Sequence, residues 1–467
     1  MKETVEREIK LAAGAGFTMP ELGGETMPTR VFVSTYHDTP DLRLARHGVT
    51  FRHRIENGAG VWQLKLPHGE ARLELEQAGP PALPPPELLS LLPALILREQ
   101  LVPVARLRTR REIVRAAGAE VVDDAVAVLD RQRVTRRFRE IEVELVDGDD
   151  RTLRRLEKAL RRAGADGDAG FRPKLYHALD LTYPVEESVV ADDSAPSHAL
   201  TLRLREQERA LLSFDPGTRL GRDAEDLHQM RVATRRLRAY LRGARRLIVD
   251  ERAEPLRSEL GWLGGLLGAV RDLDVQIEYV GGELARAVPA GGVDDLLAAL
   301  QARREEARVG LLDGLASERY FGLLEQLAAF CDAPSVTDAM SLSDVWWRQV
   351  KRLRRAVSDL GAEPADGALH AVRIDVKRAR YAAELAAHEL GKRGRRFVDR
   401  AKTAQDLLGA HQDSVVAEGL ISSWADGNAQ PGAQALVERE HARRRQVRRD
   451  WPEAWGRLEA AARSARR

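Results

Sequence analysis

The hydrophobic pattern of the chain changes period near residue 190, so a single layer of one kind of structure cannot accommodate it. Before that point apolar and polar residues alternate in short runs, at 5–10, 50–55, 61–66, 71–77, 107–114, 126–134 and 139–146, which predicts strands. Helical spacing intervenes at 85–100 and 151–163. Turn residues such as Asn57-Gly58 and His68-Gly69 fall between strand runs, as antiparallel hairpins require. The stretch VVADDSAPS at 189–197 is small, polar and interrupted by Pro196, and reads as a linker. Beyond it helical periods run at 199–212, 224–247, 252–281, 293–316, 341–360, 367–390, 395–425 and 433–462. The expected fold class is α+β multidomain, with a β-rich domain at 1–188, a linker at 189–198 and an all-α domain at 199–467. A length of 467 residues, at roughly 150 residues per domain, allows two to three.

The helical part repeats itself. Leu227-His228-Gln229-Met230-Arg231-Val232 matches Leu369-His370-Ala371-Val372-Arg373-Ile374, and Leu267-Gly268-Ala269-Val270-Arg271-Asp272 matches Leu408-Gly409-Ala410-His411-Gln412-Asp413. Two blocks at nearly one offset predict a duplicated helical domain with two equivalent halves.

In the β-rich part each strand has one apolar and one charged face. Val5 and Ile9 alternate with Glu6, Glu8 and Lys10; Phe51 and Ile55 with Arg52 and Arg54; Leu73 and Leu75 with Arg72, Glu74 and Glu76; Ile141, Val143 and Leu145 with Glu140, Glu142 and Glu144. Lys65 lies between Leu64 and Leu66, Arg108 and Arg110 share a face, and Asp130 ends a strand. Strand by strand, a solvated sheet surface explains this equally well. Taken together, charged faces turned inward bring acids opposite Arg and Lys, and burying so many charges is costly unless they serve a highly charged ligand. A polyanion with a divalent metal meets both demands: carboxylates suit Mg²⁺ or Mn²⁺, guanidinium and ammonium groups suit phosphate.

Glu6-x-Glu8-x-Lys10, Tyr36-x-Asp38-Thr39, Arg52-x-Arg54, Lys65, Arg72-x-Glu74 and Glu140-x-Glu142-x-Glu144 together resemble the CYTH, or triphosphate tunnel metalloenzyme, family over about 1–185. The resemblance implies a closed antiparallel β-barrel tunnel with flanking helices that binds triphosphate compounds with metal. It implies that Glu6, Glu8, Asp130, Glu142 and Glu144 hold metal, with Glu140 an alternative to one of the last two. Lys10, Arg52, Arg54, Lys65, Arg72, Arg108 and Arg110 would hold phosphates, with Arg106 and Arg111 beside the last pair. Glu6, Glu8 and Lys10 are the expected catalytic residues of an inorganic triphosphatase, with Lys10 or a second metal orienting or activating water. Adenylyl cyclase activity and a non-catalytic sensing role are the alternatives.

In the helical domain His228, Arg231, Arg235 and Arg238 fall at i, i+3, i+7 and i+10, one side of a helix, and Arg242 continues the stripe. Met230, Leu237 and Leu241 lie opposite, toward a core. His370, Arg373, Lys377 and Arg380 repeat the stripe. No acid interleaves to offset the like charges, so a paired basic groove for anions is expected over a merely solvated face. Metal ligation by His228 and His370 is disfavoured by the neighbouring Arg, while Asp272 and Asp413 are expected to orient basic residues. These blocks resemble the CHAD family, conserved histidine α-helical domains, over about 199–465, which implies duplicated four-helix bundles around a channel that binds inorganic polyphosphate.

Charge balance separates this from nucleic-acid coats. The chain carries 74 basic and 72 acidic residues, so positive charge is arranged rather than abundant. Binding of nucleic acid by the Arg stripes is the weaker alternative. The charged first ten residues, the lack of any run of ~18 apolar residues and the single Cys331 fit a cytoplasmic protein, within reach of polyphosphate granules, with no membrane partner.

Overall fold

The computed structural model describes residues 1–14, 16–69, 71–166, 172–182, 195–287, 293–426 and 433–466. Two compact units divide the chain at 187/188. Of the expected linker, 189–194 lie outside the described residues, and the first long helix already begins at Pro196.

The N-terminal unit holds ten strands: β1 (Lys2–Glu6), β2 (Glu8–Ala13), β3 (Glu25–Asp38), β4 (Thr50–Glu56), β5 (Ala59–His68), β6 (Ala71–Ala78), β7 (Val102–Ala116), β8 (Ala119–Asp130), β9 (Arg133–Leu145) and β10 (Ala165–Asp166). Helices α1 (Arg43–Arg46), α2 (Pro86–Leu89), α3 (Pro93–Ile96), α4 (Asp150–Arg162) and α5 (Lys174–Leu179) interrupt them. Asn57 and Gly58 both take positive φ, 49° and 80°, and close the β4–β5 hairpin as the sequence predicts.

The strands form one antiparallel sheet in the order β1-β6-β5-β4-β3-β7-β8-β9-β2-β10. The sheet is curled but open, a half-barrel rather than the closed barrel expected, with β1 and β10 at its edges. β1 and β2 are one stretch of chain broken at Arg7, and the two halves join opposite sides of the ladder. Their partners lie at opposite ends of the ladder, so residues 2–13 run between them: β1 pairs with β6 and β2 with β9.

Period-two alternation sets the two faces. On the outer side of β2, β8 and β9, Leu11, Val121, Ile141 and Val143 are buried under Leu153, Leu156 and Leu160 of α4, each leucine contributing about 2 kcal/mol. The Asp149 side chain caps α4 by accepting from the Thr152 amide at 2.9 Å. Phe51, Trp62, Leu64 and Leu75 are buried on the apolar faces of β4, β5 and β6. The apolar inner end is filled by Leu175 and Tyr176 of α5 against Tyr36, Leu107 and Val126. The sequence expectation lacked β3, α1 and α5, and ran one strand across the β8–β9 turn at Arg131, where φ is 54°.

The C-terminal unit is helical: α6 (Pro196–Leu220), α7 (Ala224–Gly243), α8 (Ala253–Tyr279), α9 (Asp294–Leu315), α10 (Glu318–Asp332), α11 (Leu342–Ser358), α12 (Asp366–Leu385), α13 (Ala387–Asp426, kinked at Gly391) and α14 (Ala433–Arg466). Successive helices pack from α6 to α9 and again from α11 to α14, and α7 touches α12. The unexpected α10 packs on α6 and α8. Met230, Leu237 and Leu241 of α7 are buried, as the stripe pattern requires.

Candidate functional site

The inner face of the β-sheet surrounds a cavity of about 180 Å³. Seven glutamates and eight Lys or Arg side chains line it, with Tyr36, Thr50, Gln63 and Pro173. Of the residues expected from sequence, Glu6, Glu8, Lys10, Arg52, Arg54, Lys65, Arg72, Glu142 and Glu144 come together here. They do so because residues paired across an antiparallel ladder point to one side: Glu8 opposite Glu144, Lys10 opposite Glu142, Lys65 opposite Glu74.

One acidic group of the cavity lacks a full set of counter-charges. Glu144 lies between Glu8 on β2 and Glu120 on β8, and like charges directly opposite destabilise a sheet. Glu144 has no ion-pair partner among the described residues, and burial, with Glu6 and Glu8 nearby, pushes its carboxyl up to about 7. Burial and Glu74 likewise raise Glu6, although Lys65 donates to it at 2.5 Å. Glu6 and Glu144, with raised proton affinity, and Glu8 beside them offer hard oxygen ligands of the kind a divalent cation takes.

The second acidic group has a cation on each member, although burial still raises the Glu140 carboxyl to about 7. Asp124, Glu140 and Glu142 each place an oxygen within 4.8 Å of the others, a spacing a metal ion could bridge. Arg111 forks onto Asp124 at 2.9 and 2.6 Å and reaches Glu142 at 3.0 Å. Lys10 contacts Glu142 and stands 3.2 Å from Glu8 and 3.8 Å from Glu140. Lys174, at the start of α5, is 2.9 Å from Asp124 and 3.0 Å from Glu142 and also contacts Glu140. Burial opposes the charge on Lys10, but Glu142 and Glu8 outweigh it and hold the ammonium above its ordinary range. The charged form of Lys10, which can orient water or phosphate, is thereby favoured.

Arg52 donates to Gln63 at 2.8 Å and to the Tyr36 hydroxyl at 2.9 Å, leaving its fork in the cavity wall with Arg54 and Arg30. Arg72 is buried and donates to the Gly48 carbonyl at 2.7 Å.

Three expected ligands lie elsewhere. Arg108 and Arg110 are exposed on the outer face of β7, where Arg110 pairs with Glu112 at 2.6 Å. The inward parity of β7 belongs to Leu107, Thr109 and Arg111, and the run Arg108-Thr109-Arg110-Arg111 carries arginine on both faces. Asp130 is exposed at the end of β8, next to the hairpin, and the buried acid of that strand is Asp124. Lys174, Arg30, Gln63, Glu76 and Glu120 carried no motif of their own; only pairing or packing brings them in.

In the helical unit the two basic stripes meet where α7 touches α12. Arg235 donates to the Tyr381 hydroxyl at 2.7 Å, and Arg236 and Arg380 flank Glu384 at 3.3 and 3.5 Å. Burial, then Arg373, Arg235, Arg231 and Arg380, push the Lys377 ammonium down to about 7. Burial also lowers His228, with Arg271, Arg235 and Arg231 adding to it against Glu225. Nδ1 of His228 and Nε of Arg238, Arg373 and Arg380 are buried without a hydrogen-bond partner among the described residues. One difference between the two copies changes a contact: His370 Nδ1 is engaged by Gln412 Oε1 at 2.7 Å, where the first copy has Arg271. Arg231 reaches Asp272 at 3.1 Å, so that carboxylate does orient a basic residue.

A charged half-barrel followed by a basic helical unit defines a class of phosphate-related proteins. Residues 3–171 match the CYTH domain and residues 202–422 match the CHAD domain. The chain belongs to the family of proteins in which a CYTH domain, of the triphosphate tunnel metalloenzyme superfamily, precedes a CHAD domain. Uncharacterized proteins from two strains of Mycobacterium tuberculosis are each 32% identical to it over 447 residues, 86% of this chain and 84% of theirs. Among solved structures, PptA from Streptomyces chartreusis is 21% identical, covers 57% of this chain and 99% of its own, and has a TM-score of 0.46. The CHAD domain from the plant Ricinus communis is 26% identical over 60% of this chain and 94% of its own, with a TM-score of 0.44. A putative adenylyl cyclase from Hippeastrum, described as having a dominant triphosphatase activity, is 16% identical over 38% of this chain and 98% of its own, with a TM-score of 0.27. Among the described residues no helix is long and apolar enough to cross a membrane.

Proposed function

We propose that the N-terminal unit hydrolyses the terminal phosphoanhydride of inorganic triphosphate or short polyphosphate with Mg²⁺ or Mn²⁺, and that the helical unit binds polyphosphate. The cavity lining carries the first part: it is almost wholly charged, with both signs of charge in close array. Its volume lies below the ~300–1,000 Å³ of ordinary small-molecule pockets, and its one aromatic ring, Tyr36, is tied to Arg52, which favours an inorganic chain over a nucleotide.

On this reading Glu6, Glu8 and Glu144 hold the divalent cation, which supplies charge neutralisation to the phosphate chain. Arg52, Arg54, Lys65 and Arg72 are the phosphate-binding groups, and the fixed ammonium of Lys10 orients the terminal phosphoryl and the water that attacks it. Water adds to the terminal phosphorus, the bridging P–O bond breaks, and tripolyphosphate leaves as pyrophosphate and phosphate. In the helical unit the paired stripes His228, Arg231, Arg235, Arg238 and His370, Arg373, Lys377, Arg380 would clasp the longer chain. The unpartnered buried nitrogens there support anion binding, because such groups are costly unless something accepts from them. A cytoplasmic setting near polyphosphate granules belongs to the same proposal.

Phosphate release from tripolyphosphate, ATP and thiamine triphosphate, with Mg²⁺ and with Mn²⁺, tests the first part. Turnover of tripolyphosphate is expected to exceed that of a Glu6→Ala, Glu8→Ala control. Release no greater than the control sinks hydrolysis and leaves a sensing role. Competition between long polyphosphate and DNA at fixed salt tests the second part, and equal affinity overturns it.

A further inference from the structure

Lys174 has no part in the residue set just proposed, yet its ammonium sits among three carboxylates. Its side chain is 6% exposed, and it approaches Asp124 and Glu142 at 2.9 and 3.0 Å while contacting Glu140. An ammonium has three donors, and here three carboxylates receive them. The same three carboxylates are the set whose oxygens could bridge a metal ion. Lys174 therefore stands where a cation would stand.

Charge counting says why that matters. With every carboxylate ionised, Asp124, Glu140 and Glu142 contribute three negative charges, against three positive ones from Lys174, Arg111 and Lys10, which also stands 3.2 Å from Glu8; burial raises Glu140 to about 7, so the group holds no surplus negative charge. A divalent ion added to this neutral, buried group would face an ammonium at contact distance with no counter-charge left over. Retreat of Lys174 is blocked by its own helix. The next two residues, Leu175 and Tyr176, are each 1% exposed and packed with Tyr36, Leu107 and Val126, and the Tyr176 hydroxyl donates to the Ala45 carbonyl. Around Glu144, by contrast, no ammonium sits at contact distance among the described residues; Lys65 is held by Glu6 at 2.5 Å and Lys10 stands 3.2 Å from Glu8.

We propose that Lys174 is a tethered cation that reserves the Asp124–Glu140–Glu142 group from divalent metal, and so confines the metal to the Glu6–Glu8–Glu144 side of the cavity. The proposal rests on the reading that this unit binds a divalent ion, and it makes Lys174 the residue that sets metal stoichiometry. Removing the ammonium leaves a net charge of minus one and three converging carboxylates, which is a second site for a divalent ion.

The test counts Mn²⁺ bound to the full chain without substrate, by equilibrium dialysis and electron paramagnetic resonance. Lys174→Ala is expected to bind one more Mn²⁺ per chain than the parent protein, and Lys174→Arg, which keeps a cation, the same number as the parent. Adding Glu140→Gln to Lys174→Ala should abolish the additional ion. If Lys174→Ala folds only in the presence of Mn²⁺, by circular dichroism, the ion has replaced the ammonium and the proposal stands. A folded Lys174→Ala with the parental count overturns it, as does a variant that fails to fold with or without Mn²⁺. A parental count of zero that rises to one in Lys174→Ala would instead overturn the metal site proposed at Glu6, Glu8 and Glu144 while leaving the role of Lys174 intact.

Discussion

Glu8 stands directly opposite Glu144 across the β2–β9 ladder, two carboxylates facing each other in a partly enclosed wall. The pairing costs the fold something that a bound cation would return. Burial first, then Glu6 and Glu8, raise the Glu144 carboxyl to about 7 from the 4.5 of an ordinary glutamate. A raised carboxyl favours the folded state when protonated, so its contribution is complete below pH 4.5 and is lost as pH rises through about 7. Glu144→Gln should therefore raise the metal-free stability of the β unit at pH 8 by on the order of 1–3 kcal/mol and leave it nearly unchanged near pH 4.5. Denaturant melts at the two pH values check this, and the same substitution should remove the stabilisation that Mn²⁺ gives the parent protein.

The two faces of β7 and its neighbours separate in a substrate assay. Arg52→Ala removes a fork that lines the cavity and should raise KM for tripolyphosphate by about ten- to hundredfold, the loss of one charge-assisted contact. Arg108→Ala, Arg110→Ala and Asp130→Ala sit outside the cavity and should leave kcat and KM within about twofold. A KM effect at Arg108 equal to that at Arg52 would contradict the placement of β7.

On the proposed reading, Lys377 should make anion binding by the helical unit pH-dependent. Its ammonium is held down to about 7 by burial and by four arginines, and an anion between the stripes would raise it again. Binding then takes up a proton above pH 7, so affinity for long polyphosphate should fall with rising pH by up to tenfold per unit. Titration calorimetry in buffers of different ionisation enthalpy measures that proton directly. Lys377→Arg should flatten the dependence, since arginine does not deprotonate in this range.

The cover over the outer face of the sheet is a separate stability term. Leu156→Ala in α4 opens a cavity against Val121 and Val143 and should cost about 2–5 kcal/mol. Asp149→Ala removes only the cap and should cost about 1 kcal/mol. Urea melts of the β unit signal rank the two.

Much of this was legible in the residues. Alternation separated the inward charges of Glu6, Glu8, Arg52, Arg54, Glu142 and Glu144 from the apolar faces, and helical spacing put His228 and Arg231 on the side opposite Met230. The reading failed where parity was ambiguous or contact was tertiary. In the run at 108–111 arginine occupies both faces, so composition cannot choose Arg111 over Arg110. In the run at 123–124 aspartate does the same, and Asp124 turns inward onto Arg111 and Lys174 while Asp123 pairs with Arg139. Lys174 lies on a six-residue helix with no period to read, and only the packing of Leu175 and Tyr176 aims it inward. The open sheet and the break at Arg7 are features that alternation in Glu6 to Lys10 does not reveal.

That break also times the assembly of the cavity. Lys10 and Glu142, which touch, are 132 residues apart in the chain. At roughly 5–20 residues per second, a nascent chain waits on the order of ten seconds between making β2 and making the strand that pairs with it. Through that interval β2 is an unpaired edge, the kind of segment that recruits a foreign strand. Glu8 and Lys10 place two charges along it, with Glu6 and Arg7 just ahead of it, and charged edges resist such pairing. The residues that form the wall of the finished cavity therefore also guard the newborn chain against aggregation until β9 leaves the ribosome.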